Sequence, residues 1–92
     1  MKRVIWKKML GIADMQTVAL PIGSKILIAR EQYSVPCIWF SCDPTAKTKL
    51  YEIRMWGTGH EHEGFPEIDN WRFLGTAIIE NGSVVLHIFE PQ

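Results

Sequence analysis

The sequence is poor in the features that announce a chemistry. It has two cysteines and three histidines, too few for a disulfide framework or a cysteine-rich zinc site. No apolar run approaches the roughly 18–20 residues needed to cross a bilayer, and the start, Met1-Lys2-Arg3-Val4-Ile5-Trp6-Lys7-Lys8, returns to charge after three apolar residues, unlike a secretory leader. Neither charge is in excess: ten Lys and Arg balance ten Asp and Glu, so the summed field does not gather nucleic acid or an anionic membrane. A Gly-x-Ser-x-Gly elbow and a Walker loop are both missing. The expectation from these gaps is a reduced, cytoplasmic protein without a cofactor, and a binding protein sooner than an enzyme.

What is present is apolar and aromatic. Hydrophobic residues make up 47% of the 92 positions, with four Trp, four Phe and two Tyr, which excludes disorder and fits one domain over 1–92. A period of two dominates, and no stretch carries a sustained helical stripe. Strands are expected over residues 3–9, 16–20, 25–33, 37–42, 49–56, 71–80 and 83–90, with a turn at 34–36. In the fifth the odd-numbered face, with Tyr51, Ile53 and Met55, is the apolar one. Asn81-Gly82 predicts a type I′ turn, which needs φ > 0 at both central residues. The fold class is mainly β: a small antiparallel barrel or two-layer sandwich of six to seven strands in meander, with one long loop at 57–70. Cys37 and Cys42, five apart on one strand, face opposite ways and read as two reduced thiols. A domain this small exposes part of its apolar surface, so a homodimer or higher homo-oligomer is expected.

The neutral total hides an asymmetry. Residues 1–54 hold nine basic and four acidic side chains, residues 55–92 one basic and six acidic. The halves either neutralise one another within the fold or leave a basic face open to a phosphate-bearing ligand.

The loop holds the chemistry. Fourteen residues separate Trp56 from Trp71, far more than a hairpin needs. Pro66 to Asp69 suits a single helical turn, with Pro and acids near its start. Gly57-Thr58-Gly59 can form a backbone nest for an anion, with His60 as a further donor and Arg54 and Arg72 flanking. The plainer alternative is a glycine turn whose arginines pair with Glu52 or Glu80. His60, His62 and His87, with a carboxylate, have the ligand types of a metal centre. The acids of 61–69 oppose a polyanion unless they face away. Trp39, Trp56, Trp71 and Phe73 could stack on bases, though core packing is the ordinary use of such residues.

Six short motifs carry a resemblance along nearly the whole chain: the Val4-Ile5-Trp6-Lys7 opening, the run from Leu20 to Leu27, Val35-Pro36-Cys37-Ile38-Trp39, Gly57-Thr58-Gly59-His60, Leu74-Gly75-Thr76, and Leu86-His87-Ile88-Phe89-Glu90. In this order they resemble an uncharacterised family of small phage and prophage proteins. The resemblance implies a cytoplasmic accessory protein made during infection, and it places His60 and His87, but not His62, inside motifs. The leading expectation is therefore a counter-defence module that sequesters a host nucleotide signal or small phosphorylated ligand through Arg54, Gly57, Thr58, Gly59, His60, Arg72 and His87. The alternatives are an inhibitor that binds a host defence protein directly, a metal-dependent hydrolase using His60, His62 and His87, and a structural or scaffold protein of the virion.

Overall fold

Alternating apolar residues and closely spaced turns give seven strands and no helix longer than a 3₁₀ turn among the described residues of the computed structural model, which are 2–61 and 68–92. The strands are β1 (Val4–Met9), β2 (Met15–Pro21), β3 (Lys25–Gln32), β4 (Val35–Cys42), β5 (Thr48–Gly57), β6 (Trp71–Ile79) and β7 (Val84–Pro91). They form a three-stranded sheet, β1-β4-β3, and a four-stranded sheet, β2-β5-β7-β6, with every hydrogen-bonded pair antiparallel. The sheets do not close into a barrel; they stack as a two-layer sandwich.

Between the layers lies the core. Leu20, Ile38, Ile53, Met55 and Ile88 are its large, fully buried side chains, and the odd face of β5 supplies Ile53 and Met55 as its alternation requires. Cys37 and Cys42 are both free and buried, and they lie on opposite faces of β4. Cys42 shares the core face with Phe40 and Ile38, while Cys37 shares the outer face with Trp39.

At one side the layers are joined through β3 and β6. Each strand carries a bulge, at Leu27 and at Leu74, where the ladder register slips by one residue. The slips break the simple alternation: Ile26 and Ala29 point into the core and Ile28 points out. They also bring the backbones into contact. A Cβ on Gly75 would sit 1.9 Å from the carbonyl oxygen of Ala29, so only glycine fits there. Two side chains tie the seam, with the Ile78 N–H donating to Glu31 Oε1 at 2.9 Å and Arg72 Nη1 donating to the Ile26 carbonyl at 2.8 Å. The opposite side stays open, bounded by β1 and β2, each terminal in its sheet.

Turn chemistry matches expectation at one hairpin and shifts at another. Asn81 (φ 54°, ψ 32°) and Gly82 (φ 91°) are the central residues of a turn closed by Ser83 N–H to the Glu80 carbonyl at 3.1 Å, as a type I′ turn demands. The β3–β4 turn is instead Tyr33-Ser34, both at positive φ (52° and 63°), between the paired Gln32 and Val35. Pro36, expected in that turn, is buried inside β4.

The order is not a simple meander, because β7 lies between β5 and β6. Both neighbours run antiparallel to β7 and therefore parallel to each other, so the chain leaving Gly57 must return along the sheet before β6 can begin. Topology thus accounts for much of the length of 57–70. Its helical element among the described residues is the 3₁₀ turn Ile68–Asn70, with Asp69 in its first turn.

Candidate functional site: an aromatic cleft on the outer face of the four-stranded sheet

Since the odd residues of β5 enter the core, its even residues face outward, and the ladder fixes what lies beside them. One cross-strand row holds Trp56, His87 and Thr76; the next holds Arg54, Phe89 and Phe73. Trp71 completes the cluster from the start of β6. Its ring lies 5.7 Å from that of Phe89, and the Phe73 ring lies 5.4 Å from Phe89, both tilted by nearly 60°, a favourable edge-to-face range. The Arg54 guanidinium stands 5.2 Å from the centre of the Trp71 ring and pairs with Glu52. Trp71 is buried although it is outside the main core, because this outer-face packing covers it.

Residues 57–60 fold back over the first row. The His60 N–H donates to the Gly57 carbonyl at 3.1 Å, and Gly59 takes φ 80° at the position where such a turn needs glycine. Three contacts pin the turn to the sheet: Thr58 N–H to the Val85 carbonyl at 3.1 Å, Trp56 Nε1–H to the His60 carbonyl at 2.7 Å, and Thr58 Oγ1 to His87 Nε2 at 2.6 Å. Thr76 Oγ1 lies 3.0 Å from the other ring nitrogen of His87. A hydroxyl can donate or accept, so the pair satisfies a neutral imidazole in either tautomer. The His60 ring covers Gly57, where a Cβ would meet its Nδ1 at 2.7 Å.

A cleft of about 340 Å³ opens between this turn and the sheet, lined by Trp56, Gly57, Thr58, Gly59, His60, His87 and Phe89. That volume suits a small ligand. The walls are aromatic and the rim is hydroxyl and imidazole; among the described residues the lining contains no acid.

The structure therefore gathers Gly57, Thr58, Gly59, His60 and His87 around one cleft. Arg54 lies one row away and is held by Glu52. Arg72 does not join them: it shares the face of Glu90, which it approaches at 3.5 Å, and reaches across to β3. Of the backbone N–H groups at this turn, those of Thr58 and His60 are engaged by the Val85 and Gly57 carbonyls. His62 lies outside the described residues, as do Glu63 and Glu67. Among the described residues no three His, Cys, Asp or Glu side chains are grouped to hold a metal. A metal on His87 would have to displace one of its threonine hydroxyls. Trp56 enters the cleft as the sequence allows for a stacking residue, whereas Thr76 and Phe89 are not among the sequence candidates, although each is the same-face neighbour of one, His87 and Arg54.

The ion pairs Arg30–Glu31, Arg54–Glu52 and Arg72–Glu90 each form within one half of the chain. The basic first half is thus not neutralised through these pairs by the acidic second.

No curated protein and no solved structure matches the chain. A family model described as a domain of unknown function, DUF7352, matches residues 1–92, and the chain belongs to that family.

Proposed function

We propose that the protein is a binding module that holds a nucleotide-class ligand in the cleft beneath residues 57–60, and that it serves as a phage accessory protein sequestering a host nucleotide signal. The observation that carries the reading is the composition of the cleft. Trp56 and Phe89 offer ring faces for a planar base, a stacking contact worth about 1–3 kcal/mol. Thr58 and His60 offer polar atoms for its edge, and among the described residues no lining carboxylate repels a phosphate. Arg54 supports the phosphate end from the adjacent row, where a ligand would compete with Glu52 for the guanidinium. The phage context rests on the resemblance of the six motifs.

Native mass spectrometry of the purified protein with cyclic dinucleotides, cyclic trinucleotides and ADP-ribose-type nucleotides tests the proposal. One class should bind at one ligand per cleft, and Trp56→Ala should lower its affinity by about tenfold or more, the loss of one good stack. Absence of a complex with every class would exclude this ligand chemistry.

A further inference from the structure

β1 is unusual among the seven strands. All six of its residues are exposed, since β4 covers one edge and the sandwich leaves the other open. Large apolar side chains crowd this edge and its continuation: Ile5 is 63% exposed, Trp6 46%, Met9 65%, Ile12 62% and Met15 60%. The same stretch is strongly basic. Lys2, Arg3, Lys7 and Lys8 precede the first acid, Asp14. Arg3 and Lys7 bond to neutral acceptors, Arg3 to Ser41 and the Gly23 carbonyl, Lys7 to Gln32. Asp43, the acid that senses Arg3, is already engaged by the hydroxyl and N–H of Thr45.

We infer that the free edge of β1 is a docking strand for an extended acidic segment of a partner protein, which adds to the β1-β4-β3 sheet as a fourth strand. Three observations fix the occupant. Only a peptide can match a row of backbone N–H and C=O groups, which sets a protein above nucleic acid or lipid. Lysines alone are ordinary protection of an open edge, but protection does not call for Ile5, Trp6 and Met9 beside them; these make an apolar contact for alternate side chains of an incoming strand. The charge selects an acidic one. A second copy docking β1 on β1 would bring together two strands with two lysines each, Lys7 and Lys8, and Lys2 and Arg3 just before them, without an acid, and is disfavoured by that repulsion. This site is separate from the cleft, which lies on the other sheet.

The test uses the full-length, nitrogen-15-labelled chain with synthetic nine-residue peptides followed by amide shifts. A peptide alternating Glu and Val should bind saturably, with shifts concentrated on Val4 to Met9. The Lys-for-Glu analogue should not bind. N-methylation of the Glu-Val peptide along one edge should weaken it about tenfold or more, the loss of two or three hydrogen bonds, as should the double variant Lys7→Glu, Lys8→Glu. Equal binding by the N-methylated peptide would overturn strand addition, as would shifts that avoid β1 or the absence of binding. Binding of oligo-dT or anionic vesicles in place of the acidic peptide would assign the edge to another class of partner. Concentration-dependent dimerisation through β1 would assign it to a second copy.

Discussion

Gly75→Ala is the sharpest perturbation the fold offers. The added Cβ would stand 1.9 Å from the Ala29 carbonyl oxygen and 2.9 Å from its carbon, both backbone atoms that cannot rotate away. Regaining even a tight 3.0 Å contact requires β3 and β6 to part by more than an ångström. That movement strains the Ile78–Glu31 and Arg72–Ile26 hydrogen bonds, at 2.9 and 2.8 Å, which close the seam. Overpacking costs about 1–3 kcal/mol, and each weakened bond about 0.5–1.5, more where a charge takes part. The sum, about 2–6 kcal/mol, is a large share of the roughly 5–14 expected for a domain of 92 residues. Urea denaturation followed by tryptophan fluorescence should show the midpoint falling by more than about 1 M. Two controls separate steric overlap from backbone preference. Gly82→Ala, at φ 91° with nothing within 4 Å, should lose only about 1–2 kcal/mol. Gly11→Ala, whose Cβ would meet nothing nearer than Gln16 Oε1 at 4.0 Å, should stay within about 0.5. A Gly75→Ala variant within 1 kcal/mol of the parent would refute the reasoning about the β3–β6 seam.

Four further outcomes follow from local changes. Replacing Tyr33-Ser34, at φ 52° and 63°, with Asn-Gly should raise the urea midpoint by the equivalent of about 1–2 kcal/mol without changing the slope. Glu90 and Glu31 should respond to pH in opposite senses. Burial raises the Glu90 carboxyl despite the opposing Arg72 guanidinium, so its contribution is fully present below the usual carboxylate value and is lost as pH rises through the raised one; Glu90→Gln should gain on the parent as pH rises above the usual carboxylate value. The Ile78 N–H holds Glu31 below its usual value, so that contribution is present above the usual value and is lost as pH falls; the gap between the parent and Glu31→Gln should close in acid. Thr76→Val removes the hydroxyl 3.0 Å from His87 Nδ1, and should lower nucleotide affinity several-fold while thermal melting moves by only a few degrees.

Much of the architecture was legible because strand parity is a local property. The outward row of β5, Arg54 and Trp56, follows from the apolar odd face with Ile53 and Met55, and Asn81-Gly82 states its own turn. Where structure departs from sequence pattern, the deciding contact is distant. Nothing in the run from Lys25 to Gln32 marks Leu27 as a bulge; the slip exists because Ala29 must meet Gly75 across the seam. Tyr33 and Ser34 lack the glycine that signals positive φ, so the sequence points to a turn at 34–36 where the structure has Tyr33-Ser34. The insertion of β7 between β5 and β6 is a choice of partner, which alternation does not encode. The candidate site divides the same way. The motif glycines, His60 and His87 pointed to the right turn, whereas Arg72 was grouped with them by sequence nearness and faces the other side of its strand.

Ligand binding in the cleft is the central claim about function. Titration of the labelled protein with the nucleotide panel, read at the Trp56 indole N–H and the His87 ring, tests it most directly. Saturable shifts of both signals at one-to-one stoichiometry are the predicted result. Indole and imidazole signals that stay fixed with every nucleotide, or nucleotide-induced shifts confined to the β1-β4-β3 sheet, would contradict it.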